Sequence, residues 1–512
     1  MAAKKKEDSL TIEDKLKAAL VPEVEQPYQI PEKWVWTYLL SGSAECLDQF
    51  RKPVNADERS LRQGSVPYYG ATGQVGWIDD YLTDEQLVLL GEDGAPFLES
   101  YKAKAYMIEG KAWVNNHAHI LRSFYGIFGN IFLLHYLNKF DYTGFVSGTT
   151  RLKLTQAAMR RMPVPLPPLP EQQRIAARLE SLLGKIKEVK ALLDEIPEIL
   201  QDFRQSVLAA ACSGRLTEDW REENPKVKTA SDLIEQSYLN ANRTTSRRAG
   251  RLWGAGVVPE LTAEDKSFTP STWFWTKVKT LGENSHDTVQ VGPMSMQSRD
   301  FTDKGIPVLN VGCIQSGYID EKKLNYLPQN IGSKFNRYRI FNNDILFTRS
   351  GTVGRCAIAS ESQDGYLMTF HLLRVRTTEK RCLPQYLLFV FQGAPHIRYQ
   401  SDKAAIGSTR AGFNTNLLAN LDIPLPPLPE QLEIVRRVES LFSKADDLEA
   451  QYKEAMELIE SLPEIILSKA FRGQLVPQDS NDEPALALLE RITDERERTK
   501  RKTLKLQWGS DE

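Results

Sequence analysis

Cysteine is scarce in this sequence of 512 residues, and its spacing excludes the usual cysteine-built sites. No C-x-x-C pair occurs, and no histidine lies at zinc-ligand spacing from a cysteine. No metal site is therefore predicted. The cysteines are predicted to be reduced thiols, mostly buried, in a cytoplasmic protein: Cys46, Cys212, Cys313, Cys356 and Cys382.

Motifs of catalysis are also missing. No G-x-x-x-x-G-K-[ST] loop occurs, which excludes the phosphate cradle of a nucleotide-driven motor. No Asn/Asp-Pro-Pro-aromatic tetrapeptide occurs, the motif with which amino-methyltransferases hold an exocyclic nitrogen. His117 and His119 are the only close histidine pair, and no carboxylate or cysteine partner is expected beside them. Hydrogen bonding to base edges, or a structural role, is therefore favoured over metal binding, and no catalytic residue is predicted.

Long apolar runs and a strong net charge are lacking too. No stretch of 18 apolar residues occurs, and the N-terminal residues have no signal-peptide core, so no membrane association is predicted. Lys+Arg 65 balance Asp+Glu 67, which excludes a global electrostatic field. The charge is unevenly placed, however. Residues 268–422 contain 18 Lys+Arg against 12 Asp+Glu, whereas residues 28–164 contain 14 of each.

The most informative feature that is present is an internal repeat. Residues 165–172 read Pro-Leu-Pro-Pro-Leu-Pro-Glu-Gln and return at 424–431, a shift of 259 residues. Apolar residues then follow at alternating spacings of four and three, which keep a narrow stripe on a helix that a second such helix covers well. The predicted seam consists of Ile175, Leu179, Leu182, Ile186, Val189 and Leu193, and of Ile434, Val438, Leu441, Leu448, Tyr452 and Ile459.

Proline and glycine delimit these two helices. The proline-rich segment cannot be helical inside, so each helix is predicted to begin just after it. Gly214 and Gly473 follow the two stripes and are predicted to end the helices. Pro197 and Pro463 lie inside the stripes and predict a kink in each helix. Two helices of equal length and register are predicted to pack antiparallel as a coiled coil.

A second repeat marks the start of two globular domains. Pro31-x-x-Trp34-x-Trp36 returns as Pro270-x-x-Trp273-x-Trp275, and each tryptophan pair is predicted to pack along an edge strand. The predicted fold class is α+β: two mixed α/β domains separated by two long antiparallel coiled-coil helices, with a pseudo-twofold internal repeat. The predicted segments are a flexible arm (1–27), domain one (28–164), proline segment and helix (165–225), short helix and basic linker (226–267), domain two (268–423), proline segment and helix (424–476), and short helix with charged tail (477–512).

Polar and aromatic turns supply candidate DNA contacts in domain one. Gly148-Thr-Thr-Arg151 presents hydroxyls, backbone N–H groups and a guanidinium suited to phosphate oxygens, or forms a capping turn whose arginine pairs locally. Asparagines can read adenine N6 and N7, while the tyrosines either pack or face DNA. The candidates are Tyr68, Tyr69, Thr72, Asn115, Asn116, His117, Thr149, Thr150 and Arg151.

The excess positive charge of domain two lies in two short arginine-containing stretches and in the second copy of the glycine turn. The arginines of the two stretches can bind guanine O6 and N7 through a bidentate fork, although local salt bridges are an open alternative for each residue. The glycine turn Gly407-Ser-Thr-Arg410, like its first copy, suits phosphate oxygens or forms a capping turn. The candidates are Arg337, Arg339, Thr348, Arg349, Ser350, Thr352, Arg355, Ser408, Thr409 and Arg410.

These features together resemble the specificity subunits of type I restriction-modification systems. The resemblance covers residues of about 30 to 490 and includes Pro-Tyr-Tyr-Gly-Ala-Thr-Gly (67–73), Gly-Glu-Asp-Gly (91–94), Val-Asn-Asn-His (114–117) and the segment 344–354, which look like target-recognition signatures.

The resemblance implies a non-catalytic DNA-recognition protein. Each target-recognition domain would read one half of an asymmetric bipartite site in double-stranded DNA, and the helices would set the gap. Two modification (methyltransferase) subunits would dock here and supply S-adenosylmethionine-dependent adenine methylation. Restriction subunits would supply ATP- and Mg-dependent motor and nuclease activity. No cofactor is expected in this chain itself.

Two other classes remain open from the sequence. A coiled-coil scaffold that binds proteins through both domains would give no footprint on duplex DNA. A chain that methylates or cuts DNA alone would be active in isolation, against which the missing motifs count.

Overall fold

The computed structural model describes residues 11–99, 102–233, 261–283, 285–349, 354–397, 399–400 and 414–508. The chain folds into two compact units. Unit 1 comprises Met1–Asp194 and Glu454–Glu512, and unit 2 comprises Glu195–Lys453. Among the residues described, every helix is too short or too polar to span a bilayer.

The described helices are, in chain order, α1 Ile12–Ala19, α2 Ala56–Leu61, α3 Gly126–Lys139, α4 Gln156–Met159, α5 Leu169–Asp194, α6 Ile196–Ser213, α7 Glu218–Glu223, α8 Ala263–Lys266, α9 Ser285–Thr288, α10 Gln329–Gly332, α11 Pro384–Gly393, α12 Thr415–Asn420, α13 Leu428–Phe471 and α14 Ala485–Trp508.

The strands of unit 1 are β1 Val35–Tyr38, β2 Ala44–Cys46, β3 Val66–Gly70, β4 Gly73–Ile78, β5 Thr83–Asp84, β6 Leu87–Gly91, β7 Ala105–Ile108, β8 Lys111–Val114, β9 Ala118–Ser123, β10 Val146–Ser147, β11 Lys153–Leu154 and β12 Pro163–Leu166. Those of unit 2 are β13 Phe274–Lys277, β14 Val289–Val291, β15 Ile306–Leu309, β16 Asn325–Leu327, β17 Ile345–Thr348, β18 Cys356–Ile358, β19 Leu367–Met368, β20 Leu372–Val375 and β21 Asp422–Leu425.

Unit 1 contains two four-stranded sheets, ordered β2-β9-β6-β7 and β4-β3-β8-β5. Strand β6 is buried along its whole length, as its run of Leu, Val and Leu favours. Unit 2 contains a four-stranded sheet, β14-β20-β17-β18, and a three-stranded sheet, β16-β15-β19. Both units are mixed α and β, as the sequence predicts.

Each unit also contains a separate two-stranded sheet that joins the start of its domain to its end. Strand β1 pairs antiparallel with β12, and β13 pairs antiparallel with β21. The tryptophan repeat therefore packs as predicted: Trp34 and Trp36 are buried in unit 1, and Trp273 is buried in unit 2. The first two residues of each proline-rich segment belong to a strand, because proline is tolerated where only one neighbouring strand needs hydrogen bonds.

The two long helical segments differ at their interior prolines. The first segment is interrupted between Asp194 and Ile196, and Pro197 lies in the first turn of the new helix α6. Pro463, by contrast, lies inside the continuous helix α13. An interior proline removes one backbone hydrogen bond, and only at the first site does this end a helix. The first predicted helix is therefore two helices, α5 and α6, whereas the second is the single helix α13, so the prediction of two helices of equal length is wrong.

Burial along the predicted seam is uneven. Ile175, Leu179, Ile434 and Val438 are buried, and each belongs to the apolar core of its own unit. Val189 and Leu448, however, are 42% and 54% exposed, so their assignment to a buried seam is wrong. Two helices alone cover only a narrow strip, and these two residues lie away from the domain cores. The remaining six are partly buried: Leu182, Ile186, Leu193, Leu441, Tyr452 and Ile459.

Two segments that the sequence predicts to be a flexible arm and a charged tail each contain a helix among the described residues. The predicted flexible arm contains α1, and Ala19 and Val21 are buried. The predicted charged tail contains the 24-residue helix α14, whose Glu497 pairs with Lys15 at 2.7 Å. Each terminal segment covers an apolar face of the other, a partnership that local sequence does not reveal. The predicted basic linker, residues 243–251, lies outside the described residues.

Candidate DNA interface

Three sequence motifs of unit 1 meet at one carboxylate. The carboxylate of Asp93, in the turn after β6, accepts hydrogen bonds from Nδ1 of His117 at 2.6 Å and from Nη2 of Arg151 at 3.0 Å. The Arg151 side chain stays 60% exposed and that of His117 39% exposed. The alternative in which Arg151 pairs with a carboxylate is thus realised, yet the guanidinium remains open to solvent. Asp93 therefore orients two exposed donors on one surface.

The turn that carries Arg151 depends on glycine. Gly148 adopts φ +104°, and a Cβ built there would lie 2.5 Å from the backbone oxygen of Arg151. Only glycine fits such a position without moving the turn. Thr149 and Thr150 follow it and are exposed, as a phosphate-contacting role requires.

A second ionic layer lies behind this surface. Glu92 pairs with Arg51 and lies 3.0 Å from Nζ of Lys153. Buried His119 places Nδ1 2.7 Å from Asp48 and Nε2 2.9 Å from the carbonyl oxygen of Leu154. The expectation that neither histidine has a carboxylate partner is therefore wrong. These partners come from distant strands, which local sequence does not place together.

The environment of Asp48 argues against a metal ion there. Cys46, Asp48 and His119 place candidate ligand atoms within 4.8 Å of one another. Burial raises the pKa of the Cys46 thiol to about 12, so the thiolate that binds metals is not favoured. Burial also opposes ionisation of Asp48, but hydrogen bonding and the charge of His119 outweigh it and lower the Asp48 pKa to about 2. Both ring nitrogens of His119 already have protein partners.

A groove of about 500 Å³ lies beside the Asp93 cluster. Four predicted DNA contacts line it: Tyr68, Asn115, Asn116 and His117. Arg59 and Val75 line the groove as well, although neither is among the DNA contacts predicted from the sequence. The only local signal was the alternation Val75-Gly-Trp77 in β4, which leaves both apolar side chains more than half exposed.

The two predicted tyrosines do not stack on DNA as exposed rings. Tyr68 is 2% exposed, its hydroxyl lies 3.0 Å from the Val54 amide nitrogen, and Arg59 covers its ring at 4.8 Å. Its assignment as a DNA contact is wrong, because β3 places alternate side chains in the core. Tyr69 is half-buried against Tyr106, with ring centroids 5.9 Å apart. Thr72 is exposed at the tip of the β3–β4 hairpin.

In unit 2 the predicted residues divide into exposed and structural groups. The Arg349 guanidinium lies 4.3 Å from the centre of the Phe370 ring, and the residue is half-buried. Arg355 donates to Oε1 of Gln315 at 3.3 Å, and Arg337 is exposed. Arg339 donates to Asn336 and to the carbonyl oxygen of Gly365, so the local-pairing alternative holds there.

One unit 2 prediction is wrong, and five lie beyond the described chain. Thr348 is fully buried, and its hydroxyl accepts the backbone N–H of Arg355 at 3.1 Å. Its position at the end of the all-buried strand β17 explains why it cannot reach DNA. Ser350, Thr352, Ser408, Thr409 and Arg410 lie outside the described residues.

A larger cavity, of about 1080 Å³, lies elsewhere in unit 1. Its walls include Tyr28, Tyr136, Phe140 and Phe471, and none of the predicted DNA contacts lines it. Size alone therefore does not mark the DNA-facing surface of this unit.

Comparison with known proteins identifies the family. The model of the type I restriction modification DNA specificity domain matches residues 50–198 and 277–458. The EcoBI specificity subunit of Escherichia coli is 31% identical over 358 residues, 68% of each chain. The EcoKI specificity subunit of Escherichia coli K12 is 29% identical over 382 residues, 71% of each chain.

Solved structures share the fold. The HsdS subunit from Thermoanaerobacter tengcongensis aligns with a TM-score of 0.53 at 17% identity, covering 88% of this chain and 100% of that one. A chain from a structure of the type I R-M system aligns with a TM-score of 0.56 over the same shares. The matched family segments cover more than half of this sequence, one in each unit, and the chain therefore belongs to the type I restriction-modification specificity subunits, which recognise DNA sequence.

Proposed function

We propose that units 1 and 2 each read one half of an asymmetric, bipartite site in double-stranded DNA. The observation that carries this proposal is that one arrangement is used twice with different surfaces. In both units a tryptophan strand pairs with a proline-rich strand, and a long helix follows. The candidate DNA contacts differ, however: unit 1 presents His117 and Arg151, and unit 2 presents Arg349. Two unlike surfaces on one repeated frame suit two unlike half-sites.

The helices are proposed to form an antiparallel coiled coil that sets the unread gap. In unit 1, Lys190 lies 3.3 Å from Glu460, while Glu171, nineteen residues earlier, bonds with Gln478. In unit 2, Arg204 lies 2.7 Å from Asp446, and the carbonyl oxygen of Leu216 accepts a hydrogen bond from Nη1 of Arg437 at 2.9 Å. In each unit, residues later in the first helical segment contact residues earlier in the second, so the two segments run in opposite directions. This opposite direction supports the pseudo-twofold arrangement that duplex DNA favours.

The outer helix faces are proposed to dock two modification subunits. Large aliphatic side chains lie open there: Leu192 and Leu458 in unit 1 are 67% and 66% exposed, and Leu432 and Ile199 in unit 2 are 60% and 59% exposed. These open side chains would give a docked partner apolar area to cover. The partners would supply S-adenosylmethionine, and restriction subunits would supply ATP- and Mg-dependent functions, whereas this chain would recognise DNA without catalysis.

Inserting four residues after Lys190 tests the proposed role of the helices. Four helical residues add about 6 Å of length, which corresponds to roughly two base pairs of duplex. We expect the gap between half-sites to lengthen, or specific modification to be lost. Mapping of methylated adenines in cells measures the gap. The same insertion after exposed Lys226, outside the long helices, is the control; an unchanged gap in the Lys190 variant would refute the proposal.

Two arginine variants separate base reading from phosphate binding. Arg349→Ala should relax discrimination at one base pair by ~1–3 kcal/mol, because a guanidinium supported by a ring can fork onto a base edge. Arg151→Ala should weaken binding to all sequences and reduce the slope of log K against log salt by about 0.9. Binding titrations at several salt concentrations measure both. Exposed Arg498 on α14 provides the control; the opposite pattern would exchange the two roles.

A further inference from the structure

The groove in unit 1 places an apolar group beside a polar group that lacks a partner. Val75, on β4, is 51% exposed although it is a large aliphatic side chain. Asn115, in the loop after β8, is 8% exposed and lines the same groove. A Cβ built on Gly70 would lie 3.1 Å from Cγ1 of Val75 and 3.4 Å from Nδ2 of Asn115. Cγ1 of Val75 and Nδ2 of Asn115 therefore both lie close to the same point in the groove, next to Gly70.

The orientation of the Asn115 amide is fixed by the loop. Its Oδ1 accepts the backbone N–H of His117 at 2.8 Å, and its own backbone N–H donates to the carbonyl oxygen of Tyr69 at 3.1 Å. Within the part of the chain that the structure describes, the amide nitrogen Nδ2 has no acceptor. Because Asn115 lines the groove, this nitrogen is free to donate to an oxygen of a ligand bound there.

The chemistry of this pair matches one base. In the major groove thymine presents an O4 acceptor next to its C5-methyl group, whereas cytosine presents an N4 donor and no methyl. Resting on the proposed function, we infer that Val75 and Asn115 recognise a thymine in the half-site read by unit 1. Asn115 donates from Nδ2 to O4, and Val75 contacts the C5-methyl group.

Neighbouring groups position this pair rather than compete with it. Arg59 also lines the groove, and its guanidinium is held over the Tyr68 ring at 4.8 Å. His117 is anchored through Nδ1 to Asp93. Glycine at position 70 keeps the space between Val75 and Asn115 clear, because any Cβ there would press on the valine.

Deoxyuridine tests the methyl contact. The full chain with its modification subunits is titrated with duplexes that carry the bipartite site, in which each thymine of the unit 1 half-site is replaced singly by deoxyuridine. Because the proposed modification is of adenine, each half-site contains at least one A·T pair. We expect one replacement to weaken wild-type binding about fourfold, the effect of one methyl group. Val75→Ala should bind the thymine site about fourfold more weakly and lose nothing further on deoxyuridine.

Asn115→Asp tests the hydrogen bond without removing the acceptor that holds the loop. The carboxylate still accepts the His117 N–H but cannot donate to O4. At the position identified by deoxyuridine, discrimination between thymine and cytosine should fall at least about tenfold, because cytosine N4 donates. Permanganate, which oxidises unstacked thymines, distinguishes a thymine read within the duplex from one that leaves the stack.

The matched control is Val24→Ala, a valine 94% exposed in a turn outside the groove, which should behave as wild type. The inference is overturned if Val75→Ala keeps the wild-type sensitivity to deoxyuridine, or if Asn115→Asp keeps wild-type discrimination at that position. If wild type itself shows no preference for the site over unrelated duplexes, the proposed function fails instead. The two failures are thereby distinguished.

Discussion

Replacing residues 39–162 with the corresponding segment of a relative that reads another site is expected to change one half-site completely and leave the other unchanged. The exchange keeps β1 and β12, whose pairing closes the domain onto the helix that follows. It replaces the whole groove and the Asp93 cluster, so all candidate base contacts of unit 1 change together. Each lost base contact costs ~1–3 kcal/mol, and several are lost at once.

Methylated-adenine mapping in cells measures the outcome of this exchange. The reciprocal replacement of residues 278–421, between β13 and β21, should change the other half-site alone. A variant in which both halves change, or neither does, would show that the two units do not read separate half-sites.

Glu430→Ala is expected to destabilise unit 2 by about 3–5 kcal/mol, a large part of the roughly 5–15 kcal/mol that stabilises a domain. Glu430 is 1% exposed, and its carboxylate accepts hydrogen bonds from Oγ1 of Thr217 at 2.8 Å and from Nη1 of Arg221 at 2.6 Å. Its removal leaves a buried hydroxyl and a guanidinium without their acceptor. The contact with Arg221 also joins the start of α13 to α7, 209 residues earlier in the chain.

Urea unfolding of the full chain measures this loss as a lower midpoint for the transition of unit 2. Glu439→Ala, at an exposed position of the same helix, should change stability by less than about 0.5 kcal/mol. Equal midpoints for wild type and Glu430→Ala would mean that the buried carboxylate does not hold the helix ends together.

The same motif uses different partners in the two units. Glu171 accepts Nε1 of Trp34 at 2.8 Å and is bonded by Gln478. Burial raises the pKa of Glu171, and these two donors oppose that effect. The sequence placed both glutamates in a first helical turn, where the dipole favours an anion. It could not show which side chains, distant in the sequence, would contact each of them.

The sequence by itself determined the repeated frame of this protein: the Trp-x-Trp strands, a helix at each proline-rich segment and the glycine ends at 214 and 473. These are local effects of proline, glycine and hydrophobic periodicity, and the structure has them at matching places in both copies. The prediction that each helix begins after its proline-rich segment is wrong: α5 and α13 begin inside it, at Leu169 and Leu428, because proline is tolerated in the first turn of a helix. The family resemblance followed from the same motifs and is confirmed.

Only the tertiary structure decided which side chains face outward. Tyr68 and Thr348 stand in polar, glycine-rich motifs, yet sheet packing buries both, whereas Val75 alternates in the same hairpin and is left open. Asp93, His117 and Arg151 meet although 58 residues separate the first from the last. Such contacts depend on the pairing of strands that are far apart in the sequence. The energy of that pairing comes from contacts between segments, which no local stretch of sequence contains.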